Sequence, residues 1–306
     1  MNQKKKRLKM CTSDKIFVSI TYLILGLVCF LTLYPMIFVL SASFSDPKMV
    51  SAGKMILWPV GINLDGYEYL LKYKDIWVGY ANTFLYTIGG TILDLLVTIP
   101  AAYALSRKDL KGRGFLMGIF VVTMYFGGGL IPNYLNVKSL GLLNTRAVLM
   151  ILGMVSTYNL IVARTFFAST IPWELHEAAY LDGASDFKTF MKVVMPLSKP
   201  ILAVMTLYYG EGHWNTYFNA MVYLRDNTKH PLQLVLRQIL IQADVMSSTL
   251  MDSADVETMK ALLAQADMAN QLKYAVIVVA TVPMLILYPF LEKYFAKGVM
   301  IGSVKG

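Results

Sequence analysis

From Ile16 to Leu40 the chain runs 25 positions without a charged side chain. As a helix this run is about 37 Å long, enough to cross a hydrocarbon layer of about 30 Å with some tilt. The rest of the sequence points the same way. It is 56% hydrophobic and only 15% charged, with a mean hydropathy of +0.53, too apolar for a soluble domain of this size. A basic tail (Lys4, Lys5, Lys6, Arg7, Lys9 and Lys15) precedes the run, and Ser41-Ala42-Ser43 follows it. That arrangement imitates a secretory signal and its cleavage site, but the run is much longer than a signal core of about 7–15 residues, so it reads as a retained first span.

Five more apolar stretches follow, at residues 77–106, 114–137, 147–163, 200–224 and 274–291. The expected fold is therefore an all-α membrane protein of six transmembrane helices. Residues 1–15 are expected to form a cytoplasmic basic tail and residues 16–306 a single transmembrane domain. With the N-terminus inside, segments 1–15, 106–114, 164–199 and 292–306 are cytoplasmic and carry 17 lysines and arginines over 75 residues. The external segments 41–76, 138–146 and 225–273 carry 11 over 94. This asymmetry follows the positive-inside rule and places both termini in the cytoplasm. The net charge of +9 is then a topology signal spread over tails and short loops, and nucleic-acid binding is not expected. Cys11 and Cys29, one in the tail and one in the first span, form no disulfide framework.

The segment 164–199 holds the most specific pattern. Glu177-Ala178-Ala179 is followed after three residues by Gly183, and after nine more by Val193-Val194-Met195-Pro196. At ordinary residue frequencies such a match arises by chance about once in several thousand chains of this length. The same residues read as a short docking helix. Pro172 suits a first helical turn, and Glu174 and Glu177 lie where the helix dipole favours negative charge. Ala178 and Ala179 are strong helix formers that let another surface approach the backbone. Asp182 and Gly183 can end the helix, and Ser185 or Asp186 can cap a second one running towards Pro196. Without its spacing the segment would pass for an amphipathic connector at the membrane surface.

These residues resemble the EAA loop of the integral membrane subunits of bacterial binding-protein-dependent ABC importers, with Met195 in place of the usual Leu, a volume-conserving change. The resemblance implies a fold like that of type I ABC importers, with the EAA helix as the cytoplasmic coupling helix. It implies ATPase-coupling roles for Glu177, Ala178, Ala179, Asp182, Gly183 and Pro196. The implied partners are two cytoplasmic ATPase subunits, a second homologous permease and an extracellular solute-binding lipoprotein, in the plasma membrane of a Gram-positive-like bacterium. ATP and magnesium would sit on the ATPase. This chain has no G-x-x-x-x-G-K-[ST] loop of its own, and its cytoplasmic loops are too short to fold a nucleotidase. His176, His213 and His230 fall on separate segments with no ligand spacing, so neither a metal site nor an enzyme active site is expected.

Candidate pathway residues come from polar interruptions of the spans, which lipid tolerates where they are buried or line a cavity. The third span is broken by Gly127-Gly128-Gly129 and Pro132, flanked by Tyr125 and Asn133. A packing kink explains that break equally well. The fifth span carries Glu211, His213, Trp214, Asn215 and Asn219. A mid-membrane carboxylate costs about 2.5–3.5 kcal/mol on insertion scales, so Glu211 should face the bundle interior or water, either paired with His213 or a residue of a paired subunit or in contact with a sugar. Asp94, in the second span, should also face inward or pair. Arg107, Lys108, Lys111 and Arg113 read as interfacial anchors. Trp214-Asn215 and the terminal residues 298–306 resemble the carbohydrate-uptake class of these permeases, which makes a sugar, of oligosaccharide type, the implied cargo. Two alternatives stay open: a permease for peptides, amino acids or ions, and an ion-coupled secondary transporter using Asp94 and Glu211. The external segment 225–273, with an amphipathic stretch at 231–240, would face a binding protein or pack against its own bundle.

Overall fold

The computed structural model describes residues 11–249, 267, 269, 271–286 and 289. Among them all extended regular structure is helical, with one isolated antiparallel bridge between Ser45 and Ile62. Two units are distinguished, one of residues 1–70 and 242–278 and the other of residues 71–241 and 279–306.

The first unit begins with α1, Thr12–Ser43, a 32-residue helix. Its apolar window has none of its residues buried within the chain, as a lipid-facing span requires. The hydroxyls of Thr21 and Thr32 donate to the carbonyls of Phe17 and Val28, at 2.9 and 3.0 Å. These two threonine hydroxyls are thereby satisfied within the helix itself. Burial starts where the apolar run stops, at Ser41, Ala42 and Ser43. Helix α2, Pro47–Ser51, is capped by Asp46, whose side chain accepts from the Lys48 amide at 2.8 Å. After an extended loop comes α3, Asp65–Lys72. The Gln271 amide ties this region down by donating to the carbonyl oxygen of Asn63 at 3.0 Å.

The second unit is organised around α4, Lys74–Ser106, 33 residues long. Its buried positions, Gly79, Thr83, Tyr86, Gly90, Asp94, Thr98, Ala102 and Leu105, recur every three or four residues. They form one stripe along the whole helix. Helices α5 (Arg113–Tyr125), α6 (Leu130–Ser139), α7 (Ala147–Ile151) and α8 (Thr157–Thr170) follow. Next come α9 (Glu174–Leu181), α10 (Asp186–Thr189), a π-helical turn at Phe190–Val194, α11 (Met195–Leu197) and α12 (Lys199–Trp214). Helix α13 (Phe218–Tyr223), a 3-10 turn at Asn227–Lys229, α14 (Leu232–Thr249) and α15 (Gln271–Ile286) complete the described elements. Helices α8 and α12 pack on α4. One core, at the Ser106 end of α4, joins Ala102, Tyr103, Leu160, Phe167, Val194 and Met205. A second, around Tyr86, joins Val148, Leu149, Tyr223 and Leu234.

Among the described residues all six hydropathy segments fall on helices, but only α1 and α4 are single helices long and apolar enough to cross a membrane. Counting each sharply bent helix pair as one span gives up to four among the described residues. The third span is broken as its glycines predict: α5 and α6 meet at 115°, and Gly129 at φ 83° opens α6. The break in the fourth span was not expected. Between α7 and α8 the chain leaves the helix, with Gly153 at φ 83°, and restarts at Ser156, whose hydroxyl accepts from the Asn159 amide. Hydropathy averages over such a break because its residues are mostly apolar. The fifth span divides into α12 and α13 around Asn215–Tyr217. For the sixth, α15 covers positions 274–286, and apart from Pro289 the remainder lies outside the described residues, as do all of the terminal residues 292–306 and much of the loop 225–273. The stretch at 231–240 is helical, in α14, and its start packs on its own unit. The Leu232 amide donates to Thr83 Oγ1 at 2.8 Å, and Gly79 admits the Leu232 backbone, which a Cβ there would meet at 3.0 Å.

Candidate functional site

The segment 172–199 is a chain of short helices with strong local punctuation. Pro172 and Trp173 make the turn that leads into α9, two residues later than Pro172 itself predicts, with the Leu175 amide on the Pro172 carbonyl and those of His176 and Glu177 on Trp173. At the other end Gly183 is left-handed, at φ 69°. Its amide donates to Tyr180 at 3.0 Å and that of Ala184 to Ala179 at 2.9 Å. This pair of bonds is a Schellman motif, which satisfies carbonyls a helix end would otherwise leave open. Ser185 caps α10, accepting from the Lys188 amide at 3.3 Å. Of the motif residues, Glu177, Ala178, Asp182, Gly183 and Pro196 are exposed and Ala179 is buried. Tyr180, Leu181 and Phe187 add an exposed apolar surface, at 81%, 85% and 73%.

The inner side of α9 is fastened to α4. The His176 ring is stacked between those of Trp173 and Tyr103, with centroids at 5.2 and 5.8 Å. The Arg107 guanidinium lies 5.7 Å from the Trp173 ring and 6.0 Å from that of Tyr103. It donates to Tyr103 Oη at 3.2 Å and to Asp186 Oδ1 at 2.8 Å, and it pairs with Asp109. The Asp109 hydrogen bond makes Arg107 harder still to deprotonate, and Arg107 holds the Asp109 carboxyl below the usual carboxylate range. The expectation of simple interfacial anchoring is thus corrected for Arg107, which bridges the end of α4 to both α9 and α10. Arg113 supports it by donating to its carbonyl oxygen at 3.1 Å.

A second polar cluster lies midway along α4. His213 Nε2 is 2.8 Å from Asp94 Oδ2. The expected inward pairing of Asp94 is found, and the suggested pairing of His213 with Glu211 is corrected: Glu211 is exposed on the other side of α12. Nearby, Thr98 and Tyr209 share a hydrogen bond of 2.7 Å, and Tyr209 Oη accepts from the Ser156 amide at 3.3 Å. A recess of about 270 Å³ opens beside this cluster, lined by Asp94, Ser156, Asn159, Tyr208, His213 and Asn219 among others. On the opposite side of α12, Glu211, Trp214 and Asn215 line another of about 360 Å³ with Gln233 and Met284.

The pathway candidates therefore separate. Asn219 joins the Asp94 recess; Glu211, Trp214 and Asn215 join the other. Tyr125 and Asn133 flank the break between α5 and α6, are exposed, and line neither. Trp214 is only 1% exposed. Its indole donates to the Ala280 carbonyl at 3.1 Å and meets the Phe84 ring edge-on at 5.4 Å, so in this conformation its faces are spent on packing. Asn159 and Tyr208 were not singled out from sequence. An asparagine in an apolar stretch was the available signal for the first, and nothing marked the second.

Residues 76–301 match the family of binding-protein-dependent transport system inner membrane components. The chain is 39% identical to the polygalacturonan/rhamnogalacturonan transport system permease protein YtcP of Bacillus subtilis, over 96% of this chain and 99% of that one. It is 37% identical to the protein LplC of the same organism, over 96% of each. Among solved structures, it superposes with a TM-score of 0.80 and 36% identity, over 94% of this chain and 99% of the other, on a chain from the crystal structure of a bacterial ABC transporter involved in the import of the acidic polysaccharide alginate. The chain belongs to the inner membrane component family of binding-protein-dependent transport systems.

Proposed function

We propose that this chain is one permease of an ATP-driven importer of oligosaccharides, forming half of the pathway in a bacterial plasma membrane with both termini in the cytoplasm. The observation that carries this reading is full-length similarity to permeases named for saccharide transport, YtcP and the arabinooligosaccharides permease AraQ of Halalkalibacterium halodurans among them. In this reading a second permease completes the pathway, a solute-binding lipoprotein delivers the sugar, and two ATPase subunits bind ATP and magnesium. The exposed outer side of α9, from Glu177 to Gly183, meets an ATPase. The Arg107, Tyr103 and His176 contacts make α9 and the end of α4 move together. Rocking of α4 against α8 and α12 then changes access to the recess around Asp94.

An ion-coupled transporter would require carboxylates able to exchange a cation along one route. Asp94 is committed to His213, and Glu211 opens into a different recess. These two residues therefore do not form one coupled site.

The test is purification of the tagged chain in mild detergent, followed by reconstitution of whatever co-purifies. Recovery of a second permease and an ATPase whose turnover rises with an oligosaccharide-loaded receptor is the expected result. Transport by this chain alone, without ATP, would overturn the reading.

A further inference from the structure

The loop between α2 and α3 carries an apolar stripe held at a defined height. Ser41 Oγ donates to the Leu57 carbonyl at 2.6 Å. The Asp46 amide donates to Val60 at 3.0 Å and the Asn63 amide to Phe44 at 2.9 Å, while Ser45 and Ile62 form the antiparallel bridge. The loop is thus sewn onto the last turn of α1 and the residues just after it. Its inner side is closed by Met55, Ser41, Ser43 and Ser45, all buried. From position 56 to 64 every second residue is a large apolar one, on a loop that bends at residues 56–58 and again at Gly61, which is left-handed at φ 65°. Ile56, Trp58, Val60, Ile62 and Leu64 are exposed by 68%, 75%, 38%, 81% and 53%.

The height follows from the anchoring points. Leu40 is the last large apolar residue before the buried Ser41-Ala42-Ser43 turn that ends α1, and Ser41 to Ser43 lie about 1.5–4.5 Å beyond it along the helix direction. The headgroup region on each side of a bilayer is about 5–8 Å thick. A stripe bonded to Ser41, Phe44 and Ser45 therefore stands within that layer. There tryptophan is favoured for its apolar body and polar N–H, and lysine for its reach to phosphate. Lys48 and Lys54, both exposed, come just before the stripe in the chain.

We propose that residues 56–64 are an interfacial membrane anchor, with Ile56, Trp58 and Ile62 immersed at the boundary of headgroups and acyl chains at the C-terminal end of α1. The occupant is lipid because the stripe continues the surface of α1, whose apolar window has nothing buried against the chain. It begins where that surface ends. The anchor fixes the height of α1 in the bilayer through hydrogen bonds that do not involve the helix backbone alone.

The test uses the full chain with its co-purifying subunits in lipid nanodiscs, with Trp77, Trp173 and Trp214 replaced by Phe so that Trp58 alone fluoresces. Lipids brominated near the headgroup should quench its emission more than lipids brominated near the acyl terminus, with little loss from aqueous iodide. Should the triple replacement fail to assemble, a spin label on Trp58→Cys, with Cys11 and Cys29 changed to Ser, gives the same readout. Collisions with oxygen should exceed those with a water-soluble nickel complex. Strong iodide quenching or dominant nickel collisions would overturn the proposal in favour of a water-facing surface. Protection from bromolipid and iodide alike would overturn it in favour of a protein occupant.

Discussion

The imidazole of His213 occupies the space that a side chain on Gly90 would fill: a Cβ there would lie 2.4 Å from the ring. Only past this glycine can His213 reach Asp94 on the next turn of α4. Gly90→Ala should therefore displace the ring and strand Asp94. Overpacking alone costs about 1–3 kcal/mol, and a buried polar group left without its partner about 1–3 kcal/mol more. Thermal unfolding in detergent should show Gly90→Ala to be as damaging as His213→Ala. The double replacement Asp94→Leu with His213→Leu should recover much of the loss, because it leaves no orphaned polar group. Equal damage from single and double replacements would mean that the pair does more than satisfy itself.

At Gly183 the penalty should be one of backbone conformation. Its φ of 69° disfavours side chains, yet no atom lies within 4 Å of a Cβ placed there. Gly183→Val should cost about 1–2 kcal/mol of local stability through left-handed strain, and Gly183→Asn clearly less. In reconstituted transport the coupling between ATP turnover and uptake should follow the same order, Gly then Asn then Val. If Asn and Val behaved alike while both proteins stayed folded, contact of this surface with the partner would outweigh its geometry.

Arg107→Gln should uncouple more than it unfolds. The Asp186 partner is 84% exposed, so that ion pair contributes about 0–1 kcal/mol, and the unfolding midpoint should shift little. What is lost is the junction between α4 and α9, read as ATP turnover that no longer responds to substrate. Arg107→Lys should rescue only part, since an ammonium lacks the planar fork and the stacking on Trp173 and Tyr103.

His230 gives a pH dependence with a definite sign. It is buried near the start of α14, and burial pushes its pKa below the usual value, opposed in part by Asp226, by a hydrogen bond with Gln238 and by Asp75. The unfolded chain then takes up the proton first as pH falls. The stability held by the neutral ring is full above pH about 6.5 and drains away as pH drops through the lower folded-state value. Unfolding midpoints measured between pH 7.5 and 5, values chosen about the histidine range, should fall more steeply for the wild type than for His230→Gln.

Local chemistry was the legible part of this molecule. Pro172, Gly183 and Ser185 each act on their own few residues, so helix α9, its stop and the next cap follow from the sequence alone. So does the break at Gly127 to Gly129. Associations across the fold were not legible. Asp94 and His213 are 119 positions apart, and neither advertises the other. Arg107 reads as one more cation at a helix end until Trp173 and Tyr103 are seen beneath it. Trp214 shows the remaining difficulty: an aromatic in a polar membrane helix suits stacking on a sugar or packing in a core. Only the position of Phe84 and the Ala280 carbonyl assigns it to packing here.

The 33-residue length of α4 makes it a lever. It is about 50 Å long, so a swing of about 5° about its middle carries each end through about 2 Å, in opposite directions. Gly90 and Asp94 sit near that middle, where displacement is smallest, and Arg107 sits just beyond one tip, where it is largest. In the proposed rocking the buried pair lies where a fulcrum of α4 would be, so a contact made at the tip would tilt the whole helix while the Asp94–His213 contact stays nearly still.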